Sequence, residues 1–113
     1  MSSGVIDGME LQHISAAEYS RRARARIGDG PTFMSFDIDV LDPSIAPGTG
    51  TPEIGGLRAH QALSLLRALA GITFTGFEVV EVSPPYDTPA QVTALHAATV
   101  AYEMLALLAL THQ

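Results

Sequence analysis

Apolar residues recur along this chain with two different periods, and each change of period marks a change of element. Met9 to Ile14 reads as a short strand. Ser15 followed by Glu18 makes a capping box that opens a helix over Ala16 to Ile27, and Gly28 ends it. Thr32 to Asp39 reads as a second strand. The segment from Pro43 to Gly56 is too rich in glycine and proline for helix or sheet, so it is expected to be a functional or disordered loop. Ala62, Leu65, Leu66 and Leu69 fall at helical spacing and predict a helix over Arg58 to Leu69, stopped by Gly71. Ile72 to Val82 is rich in β-branched and aromatic residues and predicts a strand, closed by Pro84-Pro85 because proline cannot donate to a ladder. Thr88 before Pro89 marks the start of a final alanine and leucine-rich helix that runs to about Leu110. The order β-α-β-loop-α-β-α predicts an α/β fold, a parallel sheet with covering helices and right-handed crossovers. No internal repeat or linker divides the chain.

Composition narrows the partners. A chain of 113 residues with 47% hydrophobic content suits one small globular domain and argues against disorder. Six basic and twelve acidic residues leave a net charge of −6, which disfavours nucleic acid or an anionic membrane as partner. There is no cysteine, hence no disulfide framework or thiolate chemistry. The first residues lack the basic region and long apolar segment of a signal peptide, and a cytoplasmic location is expected. The apolar stretch from Val100 to Leu110 contains Tyr102 and Glu103 and is too short to span a bilayer, so a packed helix is predicted. Arg21, Arg22, Arg24 and Arg26 read as a solvated helix face rather than a phosphate site.

The run Ser35-Phe36-Asp37-Ile38-Asp39-Val40-Leu41-Asp42-Pro43 carries the candidate chemistry. Side chains two apart on a strand share a face, so Asp37 and Asp39 are expected side by side, opposite Phe36, Ile38 and Val40. Two ionised carboxylates on one face repel unless a cation neutralises them. No Lys or Arg lies between Ile27 and Arg58, which leaves a shared metal as one reading. The other is that both acids cap loops at a solvent-exposed strand end. Ligands of open α/β sheets bind beyond the carboxyl ends of the strands. Asp37, Asp39 and Glu81 all lie near such ends, and neighbouring strands, roughly 5 Å apart, would bring them together. Asp42 is read as organising the turn before Pro43.

Taken with the following P-S-I-A-P-G-T-G-T-P-E-I-G-G-L, this run resembles the second metal-binding signature of the ureohydrolases, the arginase and agmatinase family. A further block resembling that family is G-F-E-V-V-E-V-S-P-P-Y-D, from Gly76 to Asp87. The resemblance covers residues 9 to 110 and corresponds to the C-terminal part of the arginase-like three-layer α/β/α fold, so residues 1–113 are expected to form a single partial domain. It implies a binuclear Mn²⁺ site whose bridging hydroxide attacks a linear guanidino compound and releases urea and an amine. Asp37 is similar to the family's bridging carboxylate and Asp39 to the carboxylate that chelates one metal. Oxygen ligation of this kind suits hard ions. Glu81 resembles the residue that faces the guanidinium, to which a carboxylate pairs in bidentate fashion. Thr51, with its flanking glycines, resembles the pocket floor that contacts the substrate. Glu78 is read as a core-edge or salt-bridge residue, and no residue is assigned as catalytic. The P-G-T-G-T-P-E and V-S-P-P-Y-D wording is closer to agmatinase than to arginase, which implies agmatine-like substrates and a place in polyamine biosynthesis. Guanidinobutyrase, guanidinopropionase and formimidoylglutamate hydrolases share much of this half.

Two family features are absent from the sequence, the D-A-H-x-D signature and the upstream glycine-rich segment ending in a metal-binding histidine. His13, His60, His96 and His112 have no acid two residues away and read as surface or helix residues, with His13 the exception in lying near a predicted strand end. Three expectations follow. The chain is the C-terminal segment of an agmatinase-like hydrolase, inactive alone; or a non-catalytic metal-binding module; or a docking partner of a complete ureohydrolase through an exposed sheet edge. The resemblance further implies a homo-oligomer, or association with the missing N-terminal half.

Overall fold

The structure, a computed structural model, describes residues 4–112. In chain order it contains α1 (Gly8–Leu11), α2 (Ala16–Ile27), β1 (Thr32–Asp37), a 3-10 turn at Ile38–Val40, α3 (Ala59–Arg67), β2 (Phe74–Val80), a second 3-10 turn at Pro84–Tyr86, and α4 (Val92–Thr111). Strands β1 and β2 pair in parallel, with Phe33 opposite Gly76, Ser35 opposite Glu78 and Asp37 opposite Val80. The α/β prediction therefore holds, with two paired strands among the described residues.

One face of this sheet is covered. Met34, Phe36, Phe77 and Val79 pack against a buried cluster of Leu66, Leu69, Ile72, Phe74, Val100, Met104 and Leu107, which joins the sheet to α3 and α4. Alternation along a strand sends the intervening side chains to the opposite face. There Phe33 is 59% exposed, and Ser35 and Glu78 are exposed as well. Among the described residues, the expected helical cover is thus present on one side of the sheet. A second cluster of Ile38, Leu41, Ala46, Leu57 and Ala62 sits under the long loop.

The loop from Pro43 to Gly56 is irregular as predicted, and its two ends are stitched together. Leu41 and Leu57 form a parallel bridge, with Asp42 N donating to Leu57 O and Leu57 N to Val40 O, both at 2.8 Å. The Asp42 carboxylate then accepts from Ser44 N at 3.0 Å, Gly55 N at 3.1 Å and Gly56 N at 3.2 Å. These donors, the Ser44 hydroxyl first, hold its carboxyl below the usual range. Asp42 thus organises this loop as anticipated. No side chain fits at Gly56, where a Cβ would lie 2.6 Å from Asp42 N.

Several expectations need correction. Met9 to Ile14 is not a strand: Asp7 accepts from Glu10 N at 2.9 Å and caps the one-turn helix α1. Strand β1 ends at Asp37 rather than Asp39, because the Asp37 carboxylate accepts from Asp39 N at 3.1 Å and turns the chain into a 3-10 turn. The second strand covers Phe74–Val80, shorter than Ile72 to Val82. Helix α4 begins at Val92, after Gln91 in a left-handed conformation, and not at Pro89. At 20 residues α4 is also long and apolar enough to cross a membrane, which corrects the shorter estimate. It packs on the core through Val100, Met104 and Leu107, and Glu103 pairs with Arg67 at 2.7 Å. Helix α2 forms where expected, Ser15 accepting from Glu18 N at 3.0 Å. Arg21, Arg24 and Arg26 are exposed on this helix, as expected, and Arg24 also donates to Ala68 O and Ala70 O and so ties α2 to the end of α3. Met1–Ser3, the start of the segment read for a signal peptide, lie outside the described residues.

Candidate metal and substrate site

The candidate site lies at the carboxyl ends of β1 and β2. Asp37 is the last residue of β1 and is half-buried, while Asp39 follows in the 3-10 turn, also half-buried. The two do not alternate along one strand. They are nonetheless neighbours, through the hydrogen bond from Asp39 N to Asp37. Burial pushes the Asp37 carboxyl up; the Asp39 amide pulls it down, and the negative charges of Asp39 and Glu81 push it up further. Among the described residues, no ion pair involves Asp37, Asp39 or Glu81. Of the three acids expected to converge, Asp37 and Asp39 are joined by a hydrogen bond, and Glu81 acts on Asp37 only through its charge.

Glu81 follows β2 directly and is exposed, with φ at +70°. A non-glycine residue in that region stores about 1 to 3 kcal/mol of strain, and such residues cluster at functional sites. Thr51 comes from the long loop and donates its hydroxyl proton to Asp39 at 2.8 Å. Sequence separation gave no hint of that contact. The tertiary fold thus joins Thr51 to Asp39, while Glu81 follows the end of β2, the strand paired with β1.

The donor set tests the metal reading. Two carboxylates and no thiolate suit a hard divalent cation, whose charge would relieve the repulsion around Asp37. Their number is short. Among the described residues no three His, Asp or Glu side chains are grouped to hold an ion. No histidine enters the site, and the His13 exception falls away because α1, rather than a strand, precedes it; His96 instead contacts Val92 O from within α4. Glu78 forms no salt bridge and accepts from the Ser35 hydroxyl at 2.9 Å across the strand pair.

Three residues were missed. Asp87 accepts from Thr88 N at 2.8 Å, Thr93 N at 3.0 Å and Ala94 N at 3.0 Å, so it caps α4 from outside the helix. Burial raises its carboxyl, and these amides with the Thr93 hydroxyl outweigh that and leave it low. Thr93 is fully buried and accepts from Gly48 N at 2.8 Å. The aspartate before a Thr-Pro turn was a legible capping signal; the Thr93–Gly48 contact was not. The buried Thr49 hydroxyl between them has no hydrogen-bond partner among the described residues. A cleft of about 550 Å³ is lined by Val5, Tyr19, Arg22 and Arg26 among others, away from these carboxylates.

Comparison with known proteins identifies the family and the fold. A family model described as "Arginase family" matches residues 2–106. The chain is 58% identical over 105 residues to a guanidinopropionase of Pseudomonas aeruginosa, covering 93% of this chain and 33% of that protein. It is 46% identical over 103 residues to an agmatinase of Serratia proteamaculans, covering 91% and 33% respectively. Among solved structures, the proclavaminate amidino hydrolase of Streptomyces clavuligerus superimposes with a TM-score of 0.90 at 38% identity, over 96% of this chain and 36% of that one. The chain spans about a third of the length of the relatives it matches.

Proposed function

The chain belongs to the arginase family, as an agmatinase-like ureohydrolase fragment, and from that premise we propose that it supplies one wall of a manganese-dependent hydrolase acting on linear guanidino compounds. The observation that carries this reading is the hydrogen-bonded set of Asp37, Asp39 and Thr51 at the end of β1, with Glu81 directly after the paired strand β2. Asp37 and Asp39 would hold the metal, Asp37 as the bridge. Bound manganese supplies a nucleophile from water at neutral pH and polarises the group under attack. Glu81 pairs with the guanidinium, and its planar carboxylate matches two parallel N–H donors. Thr51, held by Asp39, would contact the same group. The products are urea and an amine.

The remaining ligands come from a polypeptide that supplies the rest of the fold. The uncovered sheet face around Phe33 and the exposed α4 residues Leu95, Tyr102 and Leu105 favour such a partner, because apolar surface of this kind gains from burial. On this reading residues 1–113 are one partial domain, cytoplasmic, inactive alone, and part of a homo-oligomer once completed. Agmatine is the first candidate substrate, with a role in polyamine biosynthesis. The higher identity to guanidinopropionase favours a guanidino acid as the second.

The test joins this chain to the preceding two-thirds of the guanidinopropionase and measures urea release with Mn²⁺. The isolated chain should release none, and the joined enzyme should turn over and lose activity in Asp37→Ala. Enzyme-like turnover by the isolated chain would overturn the incomplete-site reading. A folded joined protein inactive on agmatine and on guanidino acids would overturn the hydrolase reading in favour of a metal-binding or docking module.

A further inference from the structure

Gly48 sits where two substrate-facing segments meet. It lies three residues before Thr51, and its carbonyl accepts from Ser83 N at 2.7 Å, two residues after Glu81. Its own N–H is buried and donates at 2.8 Å to the hydroxyl of Thr93, which is 0% exposed. Thr93 is fixed in turn by Asp87, which accepts its amide at 3.0 Å and faces its hydroxyl. One peptide unit is thus tied to the strand exit on its carbonyl side and to the capped start of α4 on its amide side. No side chain fits in the joint, because a Cβ on Gly48 would lie 2.9 Å from Thr93 Cβ and Oγ1 and 3.0 Å from Asp87 Cβ.

We propose that Thr93 is a positioning residue that, through Gly48, sets the Thr51 loop against the Glu81 turn. The inference rests on the substrate-facing reading of Thr51 and Glu81. Thr51 is held from the other direction by Asp39, so the loop is clamped at two points, one on the 3-10 turn after β1 and one on α4. A buried N–H that loses its only acceptor favours any movement that finds it water. Loss of the Thr93 hydroxyl therefore frees the Gly48 end of the loop, and with it the spacing between Thr51 and Glu81. The metal-facing acids lie on β1 and its 3-10 turn, outside that joint.

The experiment has two arms. In the isolated chain, amide hydrogen exchange is followed at Gly48 and Ser83 in Thr93→Val, which keeps the volume and removes the acceptor, and in Thr93→Ser, which keeps the hydroxyl. Thr93→Val should speed exchange at both amides at least ~10-fold relative to Leu57, with Thr93→Ser within ~3-fold of wild type. Equal rates in both variants overturn the proposal. If Thr93→Val does not fold, Thr93→Ala is compared with Thr93→Ser, since these two differ only in the hydroxyl, and equal Gly48 exchange again overturns it. In the joined enzyme described above, Thr93→Val should raise KM for the guanidino substrate at least ~10-fold, leave Mn²⁺ affinity within ~3-fold, and be rescued by Thr93→Ser. Faster exchange with unchanged KM overturns the positioning role. An inactive wild-type joined enzyme instead refutes the functional reading, and the exchange arm still decides whether Thr93 holds the joint.

Discussion

Replacing Gly56 by Ala should unlatch the long loop. A Cβ there would lie 2.6 Å from both Asp42 N and Leu41 C, which are backbone atoms and cannot rotate away. Ordinary contact starts at 3.4 Å, so relief requires a displacement of 3.4 − 2.6 = 0.8 Å. Such a shift stretches the 2.8 Å bond from Asp42 N to Leu57 O to about 3.6 Å, outside hydrogen-bond range. The reciprocal bond from Leu57 N to Val40 O, also 2.8 Å, runs through the same bridge. Leu41 and Leu57 are buried, so these groups find no water in exchange. Each lost bond removes about 1 kcal/mol net, and a buried group left unpaired adds about 1 to 3 kcal/mol. A total near ~3 kcal/mol or more is a large part of the roughly 5 to 15 kcal/mol that holds a domain together. At about 4 °C per kcal/mol for a chain of this size, Tm should fall by about 12 °C or more. Thermal unfolding followed by circular dichroism reads this directly, with Gly50→Ala as control, because nothing lies within 4 Å of a Cβ there. A Gly56→Ala Tm within about 4 °C of wild type would refute the close approach of loop and strand end.

Four further outcomes are expected. Met104, 2% exposed in the main core, should lose about 2 to 5 kcal/mol on truncation to Ala, read as a fall in urea midpoint at unchanged slope. Without metal, Asp37→Asn should raise Tm at pH 7: the folded pKa of Asp37 lies above its unfolded value, so its ionised form disfavours the fold there, and the amide removes that penalty. In the joined enzyme the same variant should abolish Mn²⁺ binding by calorimetry, and retained binding would remove Asp37 from the metal site. Asp42, Asp87, Glu103 and Glu18, the last at about 2, are held below their unfolded values, so their contribution is full above the unfolded carboxylate pKa and is lost as pH falls through the folded ones. Urea midpoints should therefore drop between about pH 4.5 and 2, and a midpoint constant across that window would contradict the assigned partners.

Local signals were read well where one segment decided its own conformation. The Ser15 and Glu18 pair placed the start of α2, and Gly28, at φ +74°, placed its end. Asp7 and Glu10 carry the same kind of cap, but the apolar residues around Met9 obscure it, so periodicity alone predicts a strand where a helical turn forms. The D-x-D spacing invited a strand reading through Asp39. The Asp37 side chain instead captured the Asp39 amide, a competition that alternation of apolar residues does not report.

From the chain alone came the family, the α/β order, the acids at the strand ends and the absence of the other ligands. These depend on residue type and short spacing, which a linear sequence records in full. Only the tertiary structure decided which distant groups meet: Thr51 with Asp39, Gly48 with Thr93 and Ser83, and Phe33 on a sheet face left open. Those contacts join residues far apart along the chain. Their geometry is set by how β1, β2 and α4 pack, and no local preference encodes it.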